Sequence, residues 1–266
     1  MTAGAARPNT SIDFTKTLEE GISNYPFNNI ATTCRLMGEA DVPELFGGDC
    51  YEQVTRMIDR IRKAGVEALY IASGYHFGIL VPGNEGMGTY LDPTLSMRQP
   101  ISLEDLKNGE SKKALTFPVL LDTPSRIEAS LDGETLLSNW HTPLSDGKGG
   151  VRWLPRPRQK NAFNLAQATD DIGYNPNVVK GFFKTSVRSL SWNSTNTDTG
   201  EVVTLGISPR GISLRSSHMK SRPRENTPEF EKYMEDIAVI TGVSRTELDE
   251  FLELATAKFR ELKEGR

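Results

Sequence analysis

Between Cys50 and Gly65 apolar residues recur at helical intervals, with Val54, Met57, Ile58 and Ile61 along one face and Lys63-Ala64-Gly65 ending the run. The period then changes. From Tyr75 to Val81 the chain alternates, which predicts a strand with Tyr75, Phe77, Ile79 and Val81 on one face and His76 and Gly78 on the other. The glycine-rich stretch Pro82-Gly83-Asn84-Glu85-Gly86-Met87-Gly88 reads as a turn into a second short strand, Thr89-Tyr90-Leu91-Asp92. Upstream, the pattern predicts a mostly helical region with an early helix over Thr15 to Ser23, and Ile101 to Leu106 reads as a short turn or helix.

Beyond Thr116 the texture becomes short apolar runs, Phe117 to Leu121, Arg126 to Leu131 and Glu134 to Trp140, separated by Asp, Gly, Pro and Ser clusters, which predicts an antiparallel β region. The Gly-, Pro- and Arg-rich stretch from Thr142 to Arg158 is expected to be a mobile loop over a cleft. Val178 to Leu190 resumes apolar alternation, Asn193 to Gly200 reads as a polar hairpin turn, and Ser216 to Asn226 as a linker. Thr227-Pro228-Glu229 opens a helix with proline at its first position, and Ser244-Arg245-Thr246-Glu247 is a capping box ahead of Leu248, Phe251, Leu252 and Ala255. The charged last turns, Lys258 to Arg266, are expected to fray.

The 266 residues allow one large or two small domains, and a net charge of −4 with no long basic run argues against a nucleic-acid partner. Arg152, Arg156, Arg158 and Lys160 form the one basic cluster, which reads as a solvated loop or as an attractor for a phosphate-like anion. Met1 to Asp13 lacks an apolar segment of signal-peptide length and no stretch has the length and apolarity of a membrane span, so a cytoplasmic protein is expected. Two cysteines, Cys34 and Cys50, form neither a disulfide framework nor a zinc spacing, and His141 and His218 stand apart from both, so no metal site is expected.

Cys50 is the candidate for chemistry. Gly47 and Gly48 deliver it to the first turn of the predicted helix, where unpaired N–H groups and the helix dipole favour the thiolate. Cys50 also shares the buried face of Val54, so a plain core cysteine is the competing reading. An antiparallel pairing of the two strands would set His76 beside Asp92. The order Cys50, His76, Asp92 then has a mechanical sense: a thiol attacks an acyl group, an imidazole moves the proton, and a carboxylate fixes the tautomer. A stable thiolate–imidazolium pair at neutral pH is expected.

With Gly47-Gly48-Asp49-Cys50-Tyr51-Glu52, His76 and Leu91-Asp92 in that order, and Pro26-Phe27-Asn28-Asn29-Ile30 ahead of them, the chain resembles the arylamine N-acetyltransferases, which share a core with cysteine proteases and transglutaminases. Trp153-Leu154-Pro155, Phe163, Asp170-Asp171, Asn175 and Phe182 to Ser189 resemble the family's middle β region, and Glu201 to Leu205 with Gly211 to Leu214 the strands after it. The acidic helix from Glu229 resembles the family's C-terminal end. The resemblance implies an α+β fold: a helical region carrying the nucleophile over 1–96, a central antiparallel β-barrel over 97–190, and a C-terminal α/β lid over 191–266. It implies catalytic roles for Cys50, His76 and Asp92, and donor contacts for Thr185, Ser186 and Ser189.

The implied activity is ping-pong acyl transfer from a coenzyme A or acyl carrier protein thioester to a small-molecule amine, with no permanently bound cofactor. Two departures point to a divergent branch, such as a specialised amide synthase. Asn28 and Phe46 stand where the family has glutamate and arginine, which makes the cysteine's surroundings less polar, and Pro93-Thr94-Leu95 replaces the segment that shapes the family's acceptor pocket. Intramolecular amide closure, a thiol hydrolase or transglutaminase-like enzyme, and a non-catalytic binding protein are the alternatives.

Overall fold

In a computed structural model of the chain, residues 12–39, 42, 47–83, 87–120, 123–146, 150–208, 211–217, 225 and 227–264 are described. Phe46, the middle of the 82–88 turn, His218 with most of the expected linker, and the first eleven residues lie outside that set.

Three helices precede the main sheets, and each begins at a side chain that satisfies its first N–H groups. Asp13 accepts from Lys16 N at the start of α1 (Phe14–Asn24), and Asn28 accepts from Ile30 N and Ala31 N at the start of α2 (Asn29–Leu36). The helix expected from periodicity is α3 (Cys50–Lys63), opened by a reciprocal capping box between Asp49 and Glu52. Its face of Val54, Met57, Ile58 and Ile61 is buried, about 1.5–3 kcal/mol for each side chain so removed from water.

The strands form three four-stranded antiparallel sheets. The first runs β2-β3-β4-β5 (Leu69–Ser73, His76–Val81, Thr89–Leu91, Ile101–Ser102). The second runs β6-β7-β8-β9 (Lys112–Leu120, Thr123–Asp132, Thr135–Ser145, Val151–Asn164). The third joins β1 (Phe27–Asn28), from ahead of the nucleophile helix, to β10, β11 and β12 (Leu190–Thr195, Val202–Ser208, Gly211–Ser216). The mixed α+β character agrees with expectation, but the central barrel does not form. The second sheet is open, with no ladder from β9 to β6 among the described residues, and four strands are too few to close around a filled interior.

Four further expectations need correction. The stretch from Thr142 to Arg158 is not a loop: β8 and β9 extend through it as a hairpin, Thr142 opposite Leu154 and Ser145 opposite Val151. Val178 to Leu190 is mostly helix α4 (Pro176–Thr185), because Asn175 caps Asn177 N and Val178 N and Pro176 supplies the fixed φ of a first helical residue. The expected turn from Asn193 begins later, since β10 continues to Thr195. Helices α5 (Pro228–Thr241) and α6 (Arg245–Glu264) form as predicted at their starts, but the end of α6 is docked rather than frayed. Phe259 and Leu262 are buried, and Lys263 Nζ donates to the carbonyls of Phe183 and Lys184 at 2.8 Å each, neutralising the C-terminal end of α4.

The apolar interior has two parts. One lies between α1, α3 and the first two sheets, and the other packs α2 and α4–α6 on the third sheet around Trp192, Leu205 and Leu214. No helix of the described residues is long and apolar enough to cross a membrane.

Candidate active site

The loop ahead of Cys50 needs both glycines. Gly47 has φ +80°, and a Cβ there would lie 1.9 Å from the Pro26 carbonyl oxygen, so only glycine lets the loop lie against Pro26-Phe27-Asn28. Asn28 N then donates to Gly48 O at 2.7 Å and ties the loop to β1. A Cβ on Gly48 would fall 2.3 Å from the Glu52 carboxylate, which occupies that space to accept from Asp49 N at 3.0 Å. Glu52 also accepts from Thr32 Oγ1 at 2.9 Å and pairs with Arg35 Nη1 at 2.6 Å, while Arg35 Nη2 reaches Gly47 O at 3.5 Å. The surroundings of Cys50 are therefore not depleted of charge as the change at positions 28 and 46 implied. Asn28 is buried as a helix cap, and Arg35, from α2, places an ion pair on the nucleophile loop.

Strand β2 was not anticipated, and it is what positions His76. A two-residue turn, Gly74 at φ +61° and Tyr75, joins β2 to β3 and opposes Ser73 to His76. The register of β3 on β4, Leu80 opposite Tyr90 and Ile79 opposite Leu91, brings Asp92 alongside the face that carries His76 and Gly78. His76 Nε2 and Asp92 Oδ2 are 2.7 Å apart. A carboxylate only accepts, so Nε2 carries the proton and Nδ1 is left as the basic nitrogen. Gly78 leaves room for a neighbour, as its small size suggested: a Cβ there would sit 3.0 Å from the ring of Tyr90.

Asp92 is fully buried and held by three donors: His76 Nε2, the Tyr90 hydroxyl at 2.7 Å to the same oxygen, and Leu95 N at 3.0 Å to the other. Sequence reasoning passed over Tyr90. Its hydroxyl is raised well above the usual phenol range by burial and by the Asp92 charge, so it stays a donor at any working pH.

Cys50 Sγ lies 3.2 Å from the Tyr75 carbonyl, to which the thiol donates. Burial pushes this thiol far up, and Asp49 and Asp92 add to the rise; the N–H groups of Tyr51 and Phe77 pull the other way without overcoming it. Burial and two nearby carboxylates thus oppose the thiolate that the helix end favours. Asp49 is itself pushed up to about 6, by burial and then by Glu52.

Cys50 and His76 line one cavity of about 660 Å³, where the three sheets meet. Trp140, Thr142 and Arg156 reach it from β8 and β9, Asn193 and Thr195 from β10, Thr204 from β11 and Arg215 from β12. Of the residues expected to contact a donor, Thr185 and Ser186 sit at the C-terminal end of α4, with the Thr185 hydroxyl donating to Gly181 O at 3.0 Å, and Ser189 lies just beyond; none of the three lines the cavity. Among the described residues no cluster of His, Cys, Asp and Glu could hold a metal ion.

No protein-family profile and no curated protein sequence matches the chain. Solved structures do. An arylamine N-acetyltransferase from M. smegmatis superposes with a TM-score of 0.53 at 16% identity, covering 97% of this chain and 98% of that one. A cysteine-to-glutamine variant of the Mycobacterium smegmatis enzyme gives 0.51 at 16% identity over 97% and 94%, and the Mycobacterium marinum arylamine N-acetyltransferase gives 0.53 at 14% over 97% and 95%. From end to end, this chain has a divergent form of the fold of the arylamine N-acetyltransferases.

Proposed function

We propose that the protein is a cysteine acyltransferase that moves an acyl group from a thioester, of coenzyme A or of a carrier protein, to an amine. The observation that carries this reading is the 2.7 Å bond from Asp92 to His76, whose ring shares a cavity with a cysteine at a helix N-terminus.

Burial and the neighbouring carboxylates hold the Cys50 thiol up, so deprotonation is assigned to the attack itself. His76 Nδ1 takes the thiol proton as Sγ bonds to the thioester carbonyl carbon, and the carbonyl electrons move onto oxygen. The N–H groups of Cys50 and Phe77 are the donors suited to that oxyanion. When the intermediate collapses, the bond to the donor sulfur breaks and His76 returns the proton to the departing thiolate. An amine then attacks the acyl-enzyme, His76 takes one of its protons, the carbon–sulfur bond to Cys50 breaks, and the proton goes back to Cys50. Asp92 keeps the tautomer through both halves, and Tyr90 and Leu95 N keep Asp92 in place.

Intact-protein mass spectrometry after incubation with a panel of acyl thioesters tests this. The acyl mass is expected on the parent chain and absent from Cys50→Ala, with both chains folded by circular dichroism; an adduct that persists in Cys50→Ala refutes the assignment. The thiol's bond to the Tyr75 carbonyl favours a second reading, a non-catalytic binding protein on this fold. That reading predicts no adduct from any thioester.

A further inference from the structure

Helices α1 and α3 meet at Gly21, whose missing Cβ leaves the space that the Met57 methyl fills. Beside that contact lies a second cavity, of about 180 Å³, walled by the two helices and by Pro93, the residue after Asp92. Its floor is buried, with Tyr25 8%, Met57 3% and Gln53 5% exposed, and its rim carries the exposed side chains of Arg56 and Arg60. Among the described residues, Gln53 alone lines both this cavity and the larger one that holds Cys50 and His76.

The charges around it do not cancel. Glu20 is the one carboxylate that lines it among the described residues, and it is already matched by an ion pair with Arg60 and by Lys16 Nζ at 3.8 Å. Arg56 adds a second guanidinium, held with its Cζ 4.0 Å above the centre of the Tyr25 ring. A guanidinium presents five N–H donors in a planar fork, so one stacked on a ring still has an edge for a carboxylate. Two guanidinium groups against one carboxylate favour an anion.

The floor carries a polar atom that is buried without a partner. Gln53 Nε2 donates to the Tyr25 carbonyl at 2.8 Å, and Tyr25 lines this cavity and not the larger one, so the amide head sits on this side. A carbonyl only accepts, which fixes the amide orientation and leaves Oε1 as the bare atom. A buried acceptor of this kind is costly unless something supplies a hydrogen. A hydroxyl does so without adding positive charge, whereas an ammonium would cancel the negative charge that the rim selects. The volume is below the roughly 300 Å³ of the smallest drug-sized pockets, so the occupant has only a few carbons.

We propose that this cavity is a second ligand site, separate from the acyl-transfer cavity, for a small hydroxy acid whose carboxylate meets Arg56 and whose hydroxyl donates to Gln53 Oε1. Its carbon body rests on the Met57 side chain and the Tyr25 ring. Such an occupant touches the residue one helical turn after Cys50 and the residue that follows Asp92.

The Met57 methyl reports on this site, because Met57 lines the smaller cavity and not the larger. The test follows its NMR signal in protein with isotope-labelled methionine methyls, assigned by its loss in Met57→Leu, as lactate is added. Lactate should shift the signal saturably. Lactamide, which lacks the charge, should bind about 10- to 100-fold more weakly, the size of a charge-assisted hydrogen bond. Propionate, which lacks the hydroxyl, should bind about 3- to 10-fold more weakly, the size of a neutral one. Arg56→Gln should reduce lactate to the level of lactamide, Arg56→Lys should recover part of the loss, and Arg156→Gln, in the larger cavity, should leave lactate binding unchanged. No saturable shift with lactate, or equal affinity for lactate and lactamide, overturns the proposal. So does loss of the shift in Arg156→Gln but not in Arg56→Gln, which would seat the anion beside Cys50 instead. Because no turnover is measured, failure of the acyl-transfer reading leaves these outcomes unchanged.

Discussion

Tyr90→Phe isolates the support of the candidate base, because it removes one oxygen atom and nothing else. The hydroxyl donates at 2.7 Å to Asp92 Oδ2, the oxygen that also faces His76, and both Tyr90 and Asp92 are fully buried. No water replaces a lost donor at such a site, so the cost is that of a hydrogen bond to a buried charge, about 1.5–3 kcal/mol. For a chain of this length, unfolding entropy of about 2.1 cal/mol/K per residue makes each kcal/mol worth about 2 °C, so Tm should fall by about 3–6 °C. Asp92 keeps Leu95 N and His76, so the fold should survive while the imidazole loses definition, and acyl-enzyme formation should slow by about tenfold, the equivalent of 1.4 kcal/mol. Differential scanning calorimetry and rapid-quench mass spectrometry measure the two effects. Ser138→Ala is the control, since Ser138 Oγ lies 3.5 Å from the same hydroxyl and should matter much less. A Tyr90→Phe chain that melts within 1 °C of the parent, roughly half a kcal/mol on the same scale, refutes the argument that this hydroxyl holds Asp92.

Asp92→Asn should fold and be slower by about a thousandfold or more in single-turnover loading, because an amide can donate to His76 Nε2 and drive the proton to Nδ1, the wrong tautomer for a base. Asp49→Asn keeps the helix cap but removes the charge that raises the Cys50 thiol, so iodoacetamide should alkylate Cys50 faster than in the parent at pH 8. The same variant changes stability with a definite sign. Asp49 titrates near 6 when folded and near 4 when unfolded, so the folded state binds more protons between those values and the parent loses stability as pH rises from about 4 to about 6, by up to roughly 3 kcal/mol. Urea denaturation at pH 4 and pH 7.5 should show Asp49→Asn gaining on the parent at the higher pH, and a constant difference would refute the assigned burial.

Legibility followed periodicity. Helix α3 was readable because Val54, Met57, Ile58 and Ile61 keep one period over about two turns, and β3 because its alternation is bounded by glycines. Strand β2 was not, since Leu69-Tyr70-Ile71-Ala72 is a short apolar run without alternation along the sequence. Helix α4 does carry local helix signals: Asn175-Pro176 is a helix start, and Val178, Val179, Phe182 and Phe183 recur at helical spacing. Cys50, His76 and Asp92 could be picked out because glycine turns and a hairpin flank them, whereas the support from Tyr90 depends on a strand register that no local pattern encodes. Arg156 looked like part of a solvated loop because prolines on either side disguised a long strand with a break in it. What opposes the Cys50 thiolate was not legible because burial and the approach of Asp92 are properties of the assembled chain.

The meeting of three sheets at one cavity separates two kinds of inheritance. Cys50, His76 and Asp92 come from one contiguous stretch folded on a single small sheet, whereas most of the wall facing them is drawn from the other two sheets, far along the chain. Substitutions there can redraw what enters without disturbing the proposed proton path, so a change of clientele on this scaffold would leave the candidate reactive groups in place.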